Sequence, residues 1–244
     1  MKLSERTILI TGGNSGIGMA LVKALVLMDN SVMIISRSRN HWDELEKISH
    51  EIRTFQCDVT DKKQLLELRN TLHQEKVQLD LVINCAALQL TPKLTDKDFS
   101  FDGVQTEILT NIAAPVWLSY LSLSLFAEHE EAAIVNLSSG LAFYPKSSSA
   151  VYCASKAALH NFSQSLRYQL TNTPIKVIEV ILPLVDTPMT QGRGKNKISA
   201  TQAAAEIIAG IERDTDEIYV GKARLIPPLM RIAPGLLKRM LARH

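Results

Sequence analysis

Seven short apolar runs, rich in β-branched residues, alternate with longer stretches of helical spacing, and this alternation limits the fold more than any other feature of the chain. The runs are TILIT (7–11), SVMIIS (31–36), IRTFQCD (52–58), LDLVINCA (79–86), AAIVNLSS (132–139), IKVIEVIL (175–182) and EIYVG (217–221). Between them lie GMALVKALVLM (18–28), WDELEKIS (42–49), DKKQLLELRNTLHQE (61–75), a long helical region over about 101–128, VYCASKAALHNFSQSLRYQL (151–170) and TQAAAEIIAGIERD (201–214). Strand and helix in strict succession require crossover connections, and so parallel strands with helices on both faces. Strands buried on two sides read as continuous apolar runs, as TILI, VMII and VIEVIL largely do. The expected fold class is therefore α/β, a doubly wound, seven-stranded parallel sheet. Ligands of such sheets bind beyond the carboxyl ends of the strands, where the strand order reverses, so functional residues are sought directly after strands.

No Gly/Ser/Pro-rich linker divides the 244 residues, and one domain over 1–244 is expected. A formal charge of +2 supplies no basic field of the kind that nucleic acid requires, so no nucleic-acid partner is expected. Cys57, Cys85 and Cys153 show neither CxxC nor Cys/His metal spacing and read as buried, reduced thiols, with no metal site. Reduced thiols, the lack of an N-terminal signal segment and the lack of a long apolar span together predict a cytoplasmic protein.

The first strand runs into TGGNSGIG, where Gly12, Gly16 and Gly18 keep the spacing GxxxGxG at the start of a helix. Helix N-terminal N–H groups carry partial positive charge and suit a pyrophosphate. A tight turn without a ligand has the same local look, so the loop alone does not decide. Gly12, Asn14, Ser15, Gly16, Ile17 and Gly18 form the candidate cradle. After the second strand an acidic residue would select the ribose of NAD, whereas ISRSRN offers Arg37 and Arg39 and no carboxylate before Asp43. Arg37 is the expected clamp for a 2′-phosphate, because guanidinium matches phosphate geometry. This favours NADP(H), with NAD(H) kept open.

Tyr152 and Lys156 stand four apart on a predicted helix and share a face. A phenol titrates near pH 10, and a neighbouring ammonium favours the phenolate, so the pair can be a tuned proton donor and acceptor. Tyr144 is a control of the same type: four residues on stands Ser148, not a cation. Within the long helical region, Pro115 follows Asn111 by four and has no N–H to give the Asn111 carbonyl. A free carbonyl, or simply a kink, is expected there.

The glycine loop, NCAA after the fourth strand, Asn111, Ser139, Tyr152 and Lys156, in this order and spacing, resemble the short-chain dehydrogenase/reductase family across essentially the whole chain. The resemblance implies a Rossmann-like fold and hydride transfer between a nicotinamide cofactor and a small-molecule carbonyl or alcohol. It implies that Ser139 hydrogen-bonds the substrate oxygen and that Tyr152 exchanges its proton. Lys156 would lower the Tyr152 pKa and hold the nicotinamide ribose, and Asn111 would complete a proton relay. By the same resemblance Asp58 and Val59 contact adenine, Asn84 and Ala86 belong to the segment that stabilises the sheet and passes the cofactor, and Pro183, Val185 and Thr187 meet the carboxamide. Asp58 also reads as the N-terminal signal of the next helix. Cys85, Ala87 and Leu184 depart from the family pattern, and Leu184, replacing a glycine, is expected to alter the backbone on the nicotinamide side.

The segment 188–200 has no periodicity and reads as a mobile substrate loop whose cations, Arg193, Lys195 and Lys197, are solvated in the first reading and meet an anionic substrate in the second. Leu88, Leu141, Phe143 and Met189 are expected as an apolar wall of the pocket. The tail 222–244 is basic, apolar and broken by Pro227, Pro228, Pro234 and Gly235. Packing over the substrate region or against a second subunit is the first expectation for it, and contact with an anionic membrane the second. The tail also resembles that of a bacterial subgroup of the family sometimes encoded with teichoic-acid D-alanylation genes. Family resemblance further implies a homodimer or homotetramer, through the long helices beginning near Phe101 and Val151. The alternative function is a nicotinamide-nucleotide sensor without turnover.

Overall fold

The computed structural model describes residues 1–127 and 130–242. Its elements run β1 (Thr7–Thr11), α1 (Gly16–Val26), β2 (Ser31–Ser36), α2 (Trp42–Glu46), β3 (Ile52–Gln56), α3 (Lys62–Gln74), β4 (Leu81–Asn84), α4 (Phe101–Ile108), α5 (Ala114–Ser122) and β5 (Ala132–Ser139). There follow α6 (Ala150–Gln169), β6 (Ile175–Leu182), β7 (Val185–Asp186), β8 (Ile198–Ser199), α7 (Ala200–Glu212), β9 (Glu217–Tyr219), α8 (Ile226–Ile232) and α9 (Pro234–Ala242). The main sheet has seven parallel strands in the order β3-β2-β1-β4-β5-β6-β9. Each anticipated run supplies one of them. The order reverses between β1 and β4, and this places the crevice over the loops that follow these two strands.

Helices α1 and α7 cover one face, where Leu21, Val22, Leu25, Ala203, Ile207 and Ile211 meet Ile8, Ile10, Ile34 and Val180. Helices α3 and α5 cover part of the other, with Leu65, Leu68, Leu72 and Leu118 on Leu9, Met33, Ile35 and Val82. Next to them α6 lays Leu166 on Ile134 and Val177. Each fully buried Leu or Ile contributes about 1.5–3 kcal/mol relative to exposure, so these two layers hold the strands rigidly under the crevice.

Three local features differ from the sequence expectation. The long helical region ends at Ser122 and contains a π-helical turn, Leu109–Ala113, where the N–H of Ala114 reaches the Leu109 carbonyl five residues back. The proline that lacks an N–H is absorbed by widening the helix. The helix after β3 is capped by Asp61, whose side chain accepts from the N–H groups of Lys63 and Gln64, and not by Asp58. Two short strands, β7 and β8, pair with each other beside the main sheet and had no counterpart in the sequence pattern.

A polar row crosses the sheet beneath α6. Asn84, Asn136, Glu179 and Glu217 lie in register on β4, β5, β6 and β9. Asn84 Nδ2 donates to Asn136 Oδ1 at 2.8 Å, and Asn136 Nδ2 donates to Ser163 Oγ at 2.9 Å. His160 Nδ1 stands 2.7 Å from Glu179 Oε2, and this bond to a fully buried carboxylate raises the His160 pKa. The Tyr219 hydroxyl donates to Glu217 Oε2 at 2.7 Å.

Candidate active site

A cleft of about 530 Å³ opens over the carboxyl ends of the strands at the switch point. Gly12, Asn14, Ser15, Gly16, Ile17 and Gly18 line one end of it. Gly12 and Gly16 have φ of +69° and +51°, a conformation that a side chain would strain. A Cβ at Gly18 would lie 2.2 Å from the Gly12 carbonyl oxygen, so the loop closes onto the first turn of α1 only because Gly18 is bare. A Cβ at Gly12 would lie 3.1 Å from Ala86 Cα, which shows how closely the loops after β1 and β4 meet. The Ser15 side chain makes no capping bond, and the first N–H groups of α1 point out of the helix end. Bare backbone, free donors and a helix N-terminus fit a pyrophosphate.

The second end of the cleft lies after β2. Trp42 Nε1 donates to Ser36 Oγ at 3.0 Å, Ser36 Oγ donates to the Ser38 carbonyl at 2.8 Å, and Asn14 Nδ2 donates to that carbonyl at 3.1 Å. These bonds fix the turn that presents Arg37. Arg39 is engaged elsewhere, its Nε on Gln56 Oε1 at 3.1 Å and its guanidinium over the Trp42 ring. Arg37 lines the cleft together with Ser38, Asn40 and His41. The last three were not singled out in the sequence, although their place directly after a strand was the available signal. Asp58 and Val59 border the same end, with Asp58 Oδ1 accepting from the Thr60 N–H and hydroxyl at 2.9 and 2.8 Å.

Ser139, Tyr152 and Lys156 line the cleft as well. Ser139 ends β5, and its Oγ accepts from the Leu141 N–H at 3.2 Å. Tyr152 and Lys156 stand one turn apart on α6, with Lys156 Nζ 5.7 Å from the centre of the Tyr152 ring. Nζ donates to the Leu137 carbonyl at 2.8 Å. Burial, with the Cys153 thiol and the Glu107 carboxylate nearby, pushes the Tyr152 phenol up to about 12, against a smaller opposite pull from Ser139 and Arg193. The expected lowering of the phenol pKa by Lys156 is not found: Lys156 is not among the groups that shift the phenol, and desolvation leads those that do. Neighbouring Ser138 borders the cleft with a buried Oγ that has no partner.

Burial also holds the Lys156 ammonium down, to about 8 from its ordinary 10.5. Unfolding therefore takes up a proton between pH 8 and 10.5, and on this group's account stability is lowest below pH 8 and rises toward pH 10.5. Lys156→Met is expected to stabilise the protein at pH 7 by up to about 3 kcal/mol. The difference from wild type should vanish by about pH 10.5, which urea unfolding at the two pH values checks. A variant weaker than wild type at pH 7 would mean that the bond to Leu137 outweighs the burial.

Two expected site residues do not line the cleft. Asn84 is 3% exposed and donates its Nδ2 to Asn136, while its buried Oδ1 has no partner among the described residues. Asn111, fully buried in the π-helical turn, accepts from the Leu88 N–H at 2.9 Å and donates to the Leu88 carbonyl at 2.8 Å and to Ser155 Oγ at 3.1 Å. Its side chain ties the segment after β4 to α6 next to Lys156. Thr110, one residue earlier, reaches the cleft instead.

Pro183, Val185 and Thr187 line the remaining side with Pro188, Met189 and Thr190. Leu184 and Ala87 are absent from the residues with positive φ, so neither needs the glycine of the family pattern. A Cβ at Gly194 would lie 2.2 Å from Leu184 Cδ2, and Ile198 N–H donates to the Leu184 carbonyl at 3.3 Å. Leu184 thus seats the loop above it. The loop's cations are not all solvated: Arg193 donates to Gln89 Oε1 at 3.0 Å and to the Met189 carbonyl, and Lys197 donates to the Thr190 carbonyl at 2.6 Å. Of the expected apolar wall, Met189 borders the cleft, whereas Phe143 packs edge-on to His160 and beside Tyr219. Leu88 and Leu141 do not line it. Cys57 and Cys153 are buried free thiols, and Cys85 is a half-buried one on the floor of the cleft.

The sequence pattern of the short chain dehydrogenases matches residues 6–198. The chain belongs to the short-chain dehydrogenase family. Among its relatives is the uncharacterized oxidoreductase DltE of Bacillus subtilis, 38% identical over 226 residues that cover 89% of each chain. An uncharacterized oxidoreductase of Staphylococcus epidermidis is 28% identical over 93% of this chain and 99% of its own. Among solved structures, a short-chain dehydrogenase from Burkholderia cenocepacia in complex with NADP superposes with a TM-score of 0.86 at 24% identity, covering 99% of both chains. One from Sphingobium yanoikuyae in complex with NADPH gives 0.80 at 23% identity over 95% of both. The seven-stranded sheet is that of this dehydrogenase family. The residues at which the chain resembles the family's motifs line one cleft, except Asn84 and Asn111, which do not line it.

Proposed function

We propose that the protein is an NADP(H)-dependent oxidoreductase that interconverts a carbonyl and an alcohol, with Tyr152 as the general acid and base. The observation that carries this reading is that Ser139, Tyr152 and Lys156 line the same cleft as the glycine loop and Pro183, Val185 and Thr187. The dinucleotide supplies the hydride. Ser139 Oγ and the Tyr152 hydroxyl hold the substrate oxygen, and the phenol passes its proton to that oxygen or receives it in the reverse direction. Lys156 turns from the Leu137 carbonyl toward the ribose and raises the local positive potential, which draws the phenol pKa down from about 12. Asn111 positions α6 relative to the loop after β4. The sheet, the bare glycines and the NADP-bound relatives support the cofactor class, and Arg37 supports the phosphorylated form.

Arg37→Ala is expected to weaken NADPH roughly 10- to 100-fold, the worth of one charge-assisted phosphate contact. NADH should change less than twofold. Isothermal titration with both cofactors reads the difference, and equal losses would remove Arg37 as the clamp. A panel of ketones and aldehydes with NADPH consumption as readout tests the reaction itself. Background turnover on every carbonyl, with NADPH still bound, would instead favour the sensor. Assembly as a homodimer or homotetramer is part of the same reading. Phe101 and Tyr120, 91% and 74% exposed on α4 and α5, offer the apolar surface that such a contact would cover.

A further inference from the structure

Charge is distributed unevenly along the chain. Beyond Glu217 stand six Lys and Arg and no carboxylate, whereas residues 1–217 hold 21 cations against 25 carboxylates. Helices α8 and α9 form a hairpin in this basic segment, and its two sides differ. On the inner side Ile226 and Leu237 are buried against Ile181, with Phe143, Tyr144 and Tyr219 beside them. A Cβ at Gly140 would lie 2.7 Å from Ile226 Cδ1, so the hairpin rests on the turn that directly follows Ser139. On the outer side Leu225, Ile232 and Leu236 are 55%, 83% and 54% exposed, beside exposed Arg231, Lys238 and Arg239. Arg224 is the cation of the hairpin's approach that is neutralised, by Glu206 at 2.9 Å.

Apolar side chains among cations, in a stretch of sequence without a carboxylate, are what a peripheral amphipathic helix presents to a lipid surface. A two-fold contact between copies of this chain would place the same face against itself and bring basic tails together with no carboxylate between them. The complement the charge calls for is an anionic plane. We propose that the outer face of the α8–α9 hairpin docks the protein on an anionic lipid bilayer, with Ile232 and Leu236 at the headgroup boundary and Arg231, Lys238 and Arg239 against the phosphates.

Flotation of the full-length protein with phosphatidylglycerol vesicles and with phosphatidylcholine vesicles tests this. Binding is expected to phosphatidylglycerol alone, and to be lost in about 0.5 M salt, where the screening length falls to a few ångströms. The triple variant Arg231→Glu, Lys238→Glu, Arg239→Glu should lower the partition at least about 100-fold, and Ile232→Ser with Leu236→Ser at least about tenfold. NADPH binding should be unchanged in both, which reports that the fold is intact. Equal binding to the two vesicle types would overturn the proposal, as would wild-type partition by the charge-reversed variant. It would also be overturned if Ile232→Ser with Leu236→Ser lowered the mass found by light scattering and left vesicle binding unaltered, because the face would then join copies of the chain.

Discussion

Tyr152→Phe is expected to lower turnover by roughly 10²–10⁴-fold, the range of positioned general acid–base catalysis, while NADPH affinity stays within about twofold of wild type. The substitution removes one oxygen and keeps the ring, so the packing of α6 and the approach of Lys156 to the ring face persist. Single-turnover reduction of a responsive carbonyl, next to cofactor titration, separates the two quantities. Residual turnover within tenfold of wild type would mean that another group gives the proton. The elevated phenol pKa also sets a direction: at neutral pH the group is protonated and ready to act as an acid, so carbonyl reduction should change little between pH 6 and 8. Alcohol oxidation, which needs the phenolate, should accelerate as pH rises over the same interval.

Gly18→Ala should produce the second large effect. Its new Cβ would meet the Gly12 carbonyl oxygen at 2.2 Å and the Gly13 Cα at 3.1 Å, both backbone atoms that cannot rotate away. The first turn of α1 must then move off β1, at a cost of about 1–3 kcal/mol of stability. The displaced N–H groups lose their aim at the pyrophosphate, and NADPH affinity should fall by more than tenfold. Gly235→Ala is the matched control: among the described residues nothing lies within 4 Å of its added Cβ, and in the first turn of α9 the change should stabilise by no more than about 0.5–1 kcal/mol. Thermal unfolding and cofactor titration of both variants check the pair, and an unperturbed Gly18→Ala would show that the loop tolerates a wider turn.

What the linear sequence revealed was set by how local each signal is. The strands were legible because a strand buried on two faces is written as one unbroken run, and the Tyr152–Lys156 pair because four residues make one helical turn. Bonds between distant residues left no such trace. Asn111 looked like a polar residue beside a proline break, yet its amide is engaged by Leu88, 23 residues earlier, and by Ser155, 44 residues later. Asn84 was expected in a segment that stabilises the sheet and passes the cofactor, but the partner through which it acts on the sheet, Asn136, is 52 residues away on β5. Leu184 read as an obstacle because glycine is usual there. Its φ is not positive, and the chain uses the side chain to seat Gly194. Strands of two residues, β7 and β8, are too short to carry any periodicity.

The polar row beneath α6 bears on how the chain selects one pairing among several. Aliphatic strands such as VIEVIL bury about as much surface one residue out of step as in step, so they discriminate poorly between alignments. Sliding β6 by one residue would turn Glu179 away from His160 and into the layer where Ile178 and Val180 now face α1 and α7. An unpaired carboxylate there would cost several kcal/mol. A one-residue slip of β5 would likewise separate Asn136 from Asn84 and from Ser163. The row therefore acts as an alignment key, excluding the shifted sheets whose strand ends would no longer meet at the mouth of the cleft.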